Sequence, residues 1–418
     1  MANLYFNAAV DNDWATLGNW WMDDAFTVPA NSLPTSSDSV IASASIWSNS
    51  GSEPTMVDFT LNDPNTVYPS LGIAITVTGN ATFNGYSSNS MVFEPGTITG
   101  NATFNDYSSN SGGFVGGNAT FNDDSNNVFG GTVNGNANFN DYSSNAFGGT
   151  VNGDATFSNS AVNDFLGFVN GDASFNDSSF NGWAVTGNAT FNDTSYNNGT
   201  VSGDANFNDY STNYSGTVSG DATFSDYSYS NGTVSGDATF SDYSENDGSV
   251  SGDATFSNYS HNGRWLGNGR VFGHATFNDS SINNPYGYGG RCDTATFNGG
   301  SYNKGTVYGL AVFNDYSYSD FIQAGPYRAD LQGDAVFNGF AYNTGPIAGN
   351  ATFNDDSYHQ GASVVVSVNW WPQWGVVTGN ISGTATFRDR AANKSAVIGT
   401  LVLAYEKGIN GSSILGVV

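Results

Sequence analysis

Residues 201–256 read VSGDANFNDYSTNYSGTVSGDATFSDYSYSNGTVSGDATFSDYSENDGSVSGDATF. The same pattern returns every 16 or 17 residues. Counted from Phe191 to Phe207, the odd positions are Phe191, Asp193, Ser195, Asn197, Gly199, Val201, Gly203 and Ala205. The even positions are Asn192, Thr194, Tyr196, Asn198, Thr200, Ser202, Asp204 and Asn206. The first set is small, apolar or turn-forming; the second is polar or bulky. Side chains alternate across a strand with period two. A repeat of even length therefore keeps each set on its own side in every coil, which predicts an all-β parallel β-solenoid of 16–18-residue coils.

Working outward, the same Phe recurs 17 times from Phe83 to Phe387, each time with Ala two residues before it. Ser stands four residues after it in 14 of the 17 repeats, and Asn six residues after it in 14. That regularity predicts a Phe ladder inside and an Asn amide ladder whose side chains bond from coil to coil. Asp stands two residues after the Phe in 12 repeats. Twelve stacked carboxylates in a core would repel severely, so the sequence places them at a corner facing water or backbone N–H groups. Each coil is expected to give one strand around Asn-Ala-Thr-Phe-Asn and one around Gly-Thr-Val-Ser-Gly.

Three regions follow. Residues 1–72 lack the repeat, carry Trp14, Trp20, Trp21 and Trp47, and read as an N-terminal cap or attachment module. An open first coil would expose apolar side chains and strand edges. Residues 73–390 form the solenoid, regular to about residue 256 and interrupted after it. There the Phe spacings become 21, 20, 16, 24, 16 and 34, the last read as two coils with one anchor missing near Val364–Val368. Residues 391–418 read as a C-terminal cap or an association segment.

Composition narrows the function. The 418-residue chain has 53 Gly, a hydrophobic content of 38% and a net charge of −28 from 9 basic and 37 acidic residues. A thin interior suits that hydrophobic content. Such acidity disfavours nucleic acid and anionic membranes as partners, and no run of 18 apolar residues predicts a membrane span. A lone Cys292 forms no intrachain disulfide. The first residues show neither a basic nor an apolar signal region, as expected of a protein released by lysis.

The chemistry-bearing motifs are sparse. Glycoside hydrolysis needs two carboxylates about 5–10 Å apart, one with a raised pKa. Here the repeat accounts for nearly every Asp, so no catalytic residue is assigned and no enzyme is expected. His261, His274 and His359 lack metal-ligand spacing, and the GGxGxDxxx signature of the calcium roll is absent, so neither metal nor cofactor is expected. Thr precedes the Phe in 12 repeats, an outward column similar to those of ice-binding solenoids, though Asn or Asp flanks it in place of a second Thr. Insertions in a solenoid project from one corner and often bind. The candidate receptor or glycan contacts are therefore Arg264, Trp265, Tyr286, Tyr288, Tyr327, Arg328, Trp370, Trp371 and Trp374, flat rings beside guanidinium donors. A Tyr column at Tyr210, Tyr227, Tyr243 and Tyr259 is the competing site.

The Phe-x-Asp-x-Ser-x-Asn-x-Gly-x-Val-x-Gly-x-Ala coils resemble solenoids of phage tail-fibre and tailspike-like proteins and of giant bacterial surface proteins. The opening NLYFNAAVDNDWATLGNWW and the ending GINGSSILGVV are similar to those of such tail proteins. The resemblance implies a virion fibre or spike, often a homotrimer, joined to other tail proteins and meeting a host surface glycan or receptor. The alternatives are a bacterial cell-surface adhesin or filament protein, a polysaccharide-degrading spike and an ice-binding solenoid.

Overall fold

The computed structural model describes residues 2–11, 13–44, 55–63, 75–89, 95–263, 269–284, 289–320, 330–360, 364–366, 375–377, 381–388, 390–393, 401–403 and 409–410. The chain is an all-β parallel β-solenoid. It falls into two compact units, residues 1–204 and 205–418.

In the first unit a coil has three strands where two were expected. One coil comprises Thr150–Val151, Ala155–Phe157 and Val162–Asn163. Each pairs in parallel with its counterpart in the next coil: Val151 with Val169, Phe157 with Phe175, Asn163 with Asn181. The third strand exists because period-two alternation persists through the Ser-x-Asn segment, although its residue types favour turns. Three connections join the strands: Asn152–Asp154, Ser158–Ala161 and Asp164–Gly167.

The interior follows the odd positions. Phe83, Phe104, Phe121, Phe139, Phe157 and Phe175 are fully buried, and their rings stack 4.7–4.9 Å apart. Beside them the Asn amides form one chain of hydrogen bonds. Asn127 donates to Asn145 at 2.8 Å, and Asn145 to Asn163 at 2.9 Å. Glycine is required next to this ladder: a Cβ on Gly149 would stand 2.2 Å from the Asn127 carbonyl oxygen.

Acidic residues occupy the corners. Asp106, Asp123, Asp141, Asp177 and Asp193 have φ of 57–60°, a left-handed conformation that Asp tolerates better than most residues. The Asp177 carboxylate accepts the Asn159 backbone N–H at 3.0 Å. A second column, three residues before each Phe, was not anticipated. The Asn118 side chain accepts the Asn136 N–H, and Asn136 accepts that of Asp154, both at 2.9 Å.

Coil stacking also reaches back into residues 1–72. Asn3–Phe6 pairs with Ser39–Ala42, and Phe59–Asp63 pairs with Ala81–Gly85. Leu61 aligns with Phe83, so a shorter apolar side chain holds the ladder position. The other edge of Asn3–Phe6 pairs antiparallel with Trp20–Trp21. Trp20 is buried edge-on against Phe6 and Trp14, and its indole N–H donates to the Trp14 carbonyl at 3.0 Å.

In the second unit the Phe ladder runs from Phe207 to Phe387 with spacings of 4.6–4.9 Å. The 34-residue interval holds no hidden coil, contrary to the sequence reading. Ala351–Phe353 pairs directly with Ala385–Phe387, and His359 with Asn393. Val364–Val366 and Gly375–Val377 instead form a separate antiparallel hairpin. An apolar run of valines reads equally as a coil strand or a hairpin strand, and only the register separates the two. Leu401–Leu403 and Ile409–Asn410 add further parallel strands in register with the array.

Candidate functional site

Each coil returns from its third strand to the next first strand by one connection. In a short coil this is two residues, Asn231-Gly232, between Ser230 and Thr233. In the second unit, four longer segments all fall at this step. Residues 264–268 lie between Asn262 and Arg270, and residues 285–288 between Asn283 and Arg291. Residues 321–329 lie between Ser319 and Asp330, and residues 361–380 between His359 and the bridge at Ile381. Arg264, Trp265, Tyr286, Tyr288, Tyr327, Arg328, Trp370, Trp371 and Trp374 all belong to these segments and lie outside the described residues.

The described residues supply the frame around them. Arg270 and Arg291 are register partners on adjacent first strands. The Arg270 guanidinium lies 3.9 Å from the ring centre of the exposed Phe272, a cation–π contact. On the third strand Glu245 and His261 are register partners. Burial pushes the His261 imidazole down to about 4, and its Nδ1 has no hydrogen-bond partner among the described residues. Nearby, the Tyr229 hydroxyl donates to the buried Asp247 carboxylate at 3.1 Å; burial first, then that carboxylate, raises the Tyr229 pKa.

Two tyrosine columns run along the second unit. Tyr302, Tyr318, Tyr342 and Tyr358 stack at 4.8, 4.8 and 5.2 Å, with Lys304 above the Tyr302 ring. Burial, then the phenols beside it, pushes Tyr318 up to about 12. Tyr210, Tyr227, Tyr243 and Tyr259 stack at 5.1–5.5 Å with planes within 15° of parallel. In both columns each inner ring covers its neighbours' faces. They therefore offer solvent edges and hydroxyls, whereas stacking against a sugar's C–H surface needs an open face.

The outward Thr column is one residue wide. Thr103 and Thr120 pair in register, and Asn138 breaks the run. The flanking Asn side chains bond to one another, Asn122 to Asn105 at 2.7 Å, which satisfies part of their polar capacity. Among the described residues no three His, Cys, Asp or Glu side chains gather as a metal site, and no helix is long and apolar enough to cross a membrane. Cys292 is buried against Asn262 and Asn283, and burial raises its thiol pKa.

Sequence reasoning missed one surface column, Phe129, Phe147, Phe165 and Trp183, which lies at the same third connection in the first unit. Its signal was a bulky aromatic inside a Gly-rich connection. No protein-family model matches the sequence, and neither does any curated protein or solved structure.

Proposed function

We propose that this chain is a structural attachment protein of a phage virion, a tail fibre or tailspike, and not an enzyme. In this reading the solenoid is its shaft, and it binds a host surface glycan or receptor. The observation that carries it is the placement of four insertions at the equivalent step of four coils. Interior ladders tolerate no added residue, so the added length and the unusual residue types collect where the fold does not need them. All nine basic residues of the chain lie at or after Arg264. Arg270 and Arg291 on adjacent coils suit the hydroxyl and acidic groups of a surface glycan. Partner tail proteins, and a homotrimeric state, belong to the same proposal.

Mass spectrometry of purified virions tests it, together with adsorption of the isolated protein to host cells. The reading expects peptides of this chain in the particle and saturable adsorption. Peptides confined to the bacterial envelope would favour the adhesin or filament alternative. Release of reducing sugar from host polysaccharide would overturn the non-enzymatic assignment.

A further inference from the structure

In the first unit, three consecutive coils carry a bulky apolar residue at the third connection in a left-handed backbone conformation. Phe129 has φ 51°, Phe147 φ 48°, and Phe165 and Leu166 φ 25° and 65°. That conformation costs a non-glycine residue about 1–2 kcal/mol. The fold does not require it, because Asn231-Gly232 makes the same step in two residues. Nor is the ring buried in return: Phe129, Phe147 and Phe165 are 69%, 53% and 54% exposed. Trp183 continues the column in the next coil. Unlike the tyrosine columns, these rings tilt, by 24°, 57° and 50° between successive members.

We infer that this stripe is a self-association surface whose occupant is the same stripe on a second copy of the chain. Charge selects that occupant. In these coils the first connection carries Asp154 and Asp172, and the second carries Asp123, Asp124, Asp141 and Asp177. The third connection, residues 129–131, 146–149, 164–167 and 182–183, holds one charge, Asp164. Two copies of a chain with net charge −28 repel along their acidic corners and meet at least cost at this one. Area agrees. With roughly 200 Å² for a whole large apolar side chain, the exposed parts of Phe129, Phe147, Phe165, Leu166, Phe168 and Trp183 make an apolar patch of about 580 Å². A stable interface buries about 800 Å² per partner, an apolar centre with a polar rim, and the patch supplies that centre. Stripe against stripe is self-complementary, as a two-fold contact requires, so this contact is distinct from the three-fold association of the proposed function.

Sedimentation velocity of the full chain over a wide concentration range is the test, beside a Phe129→Asn/Phe147→Asn/Phe165→Asn variant. Asn accepts the left-handed backbone, so the variant keeps its fold. The inference expects concentration-dependent association of the unaltered chain, strengthened by salt as carboxylate repulsion is screened. It expects the variant's dissociation constant to rise about a hundredfold or more. A Tyr210→Asn/Tyr227→Asn/Tyr243→Asn control should associate like the unaltered chain. The inference falls if the unaltered chain stays monomeric, or if the stripe variant associates undiminished. Loss of glycan or vesicle binding by the stripe variant, with an unaltered chain that is monomeric, would give the surface a different occupant.

Discussion

The interior of the coil and its third connection obey opposite rules. Inside, most positions repeat because like meets like in the next coil: Phe rings stack 4.7–4.9 Å apart, and Asn amides bond at 2.8 Å. At the third connection length runs from two residues, Asn231-Gly232, to the twenty of residues 361–380, and residue type varies with it. The difference teaches where to look for each property. Stability belongs to the positions that repeat, and the proposed attachment function assigns discrimination to those that do not.

The sharpest way to break that contrast is a pair of ring deletions. Phe157→Ala removes a fully buried ring from the ladder and should cost about 3–5 kcal/mol in denaturant unfolding. Phe147→Asn removes an exposed ring from a left-handed position and should cost nothing, or stabilise slightly. Equal losses from the two would abolish the distinction.

Next in size is Asn145→Leu. Its amide accepts from Asn127 and donates to Asn163, so the change leaves buried polar groups in two neighbouring coils unpaired. The expected loss is about 2–3 kcal/mol by the same measurement. An unchanged midpoint would deny the amide ladder its energetic role.

Acid probes the boundary between interior and connection. His261 sits on the third strand immediately before an insertion, in register with Glu245. Its folded-state pKa of about 4 lies below the ordinary value, so the unfolded chain takes up the proton first. Its contribution is complete above about pH 6.5 and is lost as pH falls toward 4, on the order of 2 kcal/mol by pH 5 and about 3 kcal/mol by pH 4. Melting curves of the unaltered chain and His261→Gln between pH 7 and pH 5 should converge as the unaltered chain weakens. Parallel curves would show that this imidazole does not titrate with unfolding.

The smallest contrast lies between two serines. Ser125 donates to the Phe104 carbonyl at 3.1 Å, whereas the buried Ser143 hydroxyl has no partner among the described residues. Ser125→Ala should cost about 1 kcal/mol, and Ser143→Ala should be neutral or stabilising. Ala161 already occupies that position in the following coil.

These outcomes also mark what the sequence made legible. The Phe, Asn and corner Asp columns were readable because each needs one residue type at one offset, and repetition amplifies it. The third strand was not, since Ser-x-Asn has turn chemistry and becomes a strand only by pairing with the next coil. Nor was Leu61 at the Phe83 ladder position, because one substituted anchor hides a coil from a residue-type search. Val364–Val366 misled for the opposite reason: its residues suit a coil strand, but its partner is Gly375–Val377. For the candidate site, the sequence identified the unusual residue types, and the topology supplied their common step in the coil. The Phe129–Trp183 stripe was overlooked because a search guided by irregular spacing passes over coils of regular length.

The most direct measurement shortens the connection and leaves the interior intact. Deleting residues 264–268 joins Gly263 to Gly269, and replacing residues 321–329 by one Gly recreates the Asp247-Gly248 step after Asp320. The account predicts a melting temperature within about 2 °C of the unaltered protein, with host-cell adsorption reduced at least about tenfold. Undiminished adsorption by the folded variant would contradict it, as would collapse of the fold.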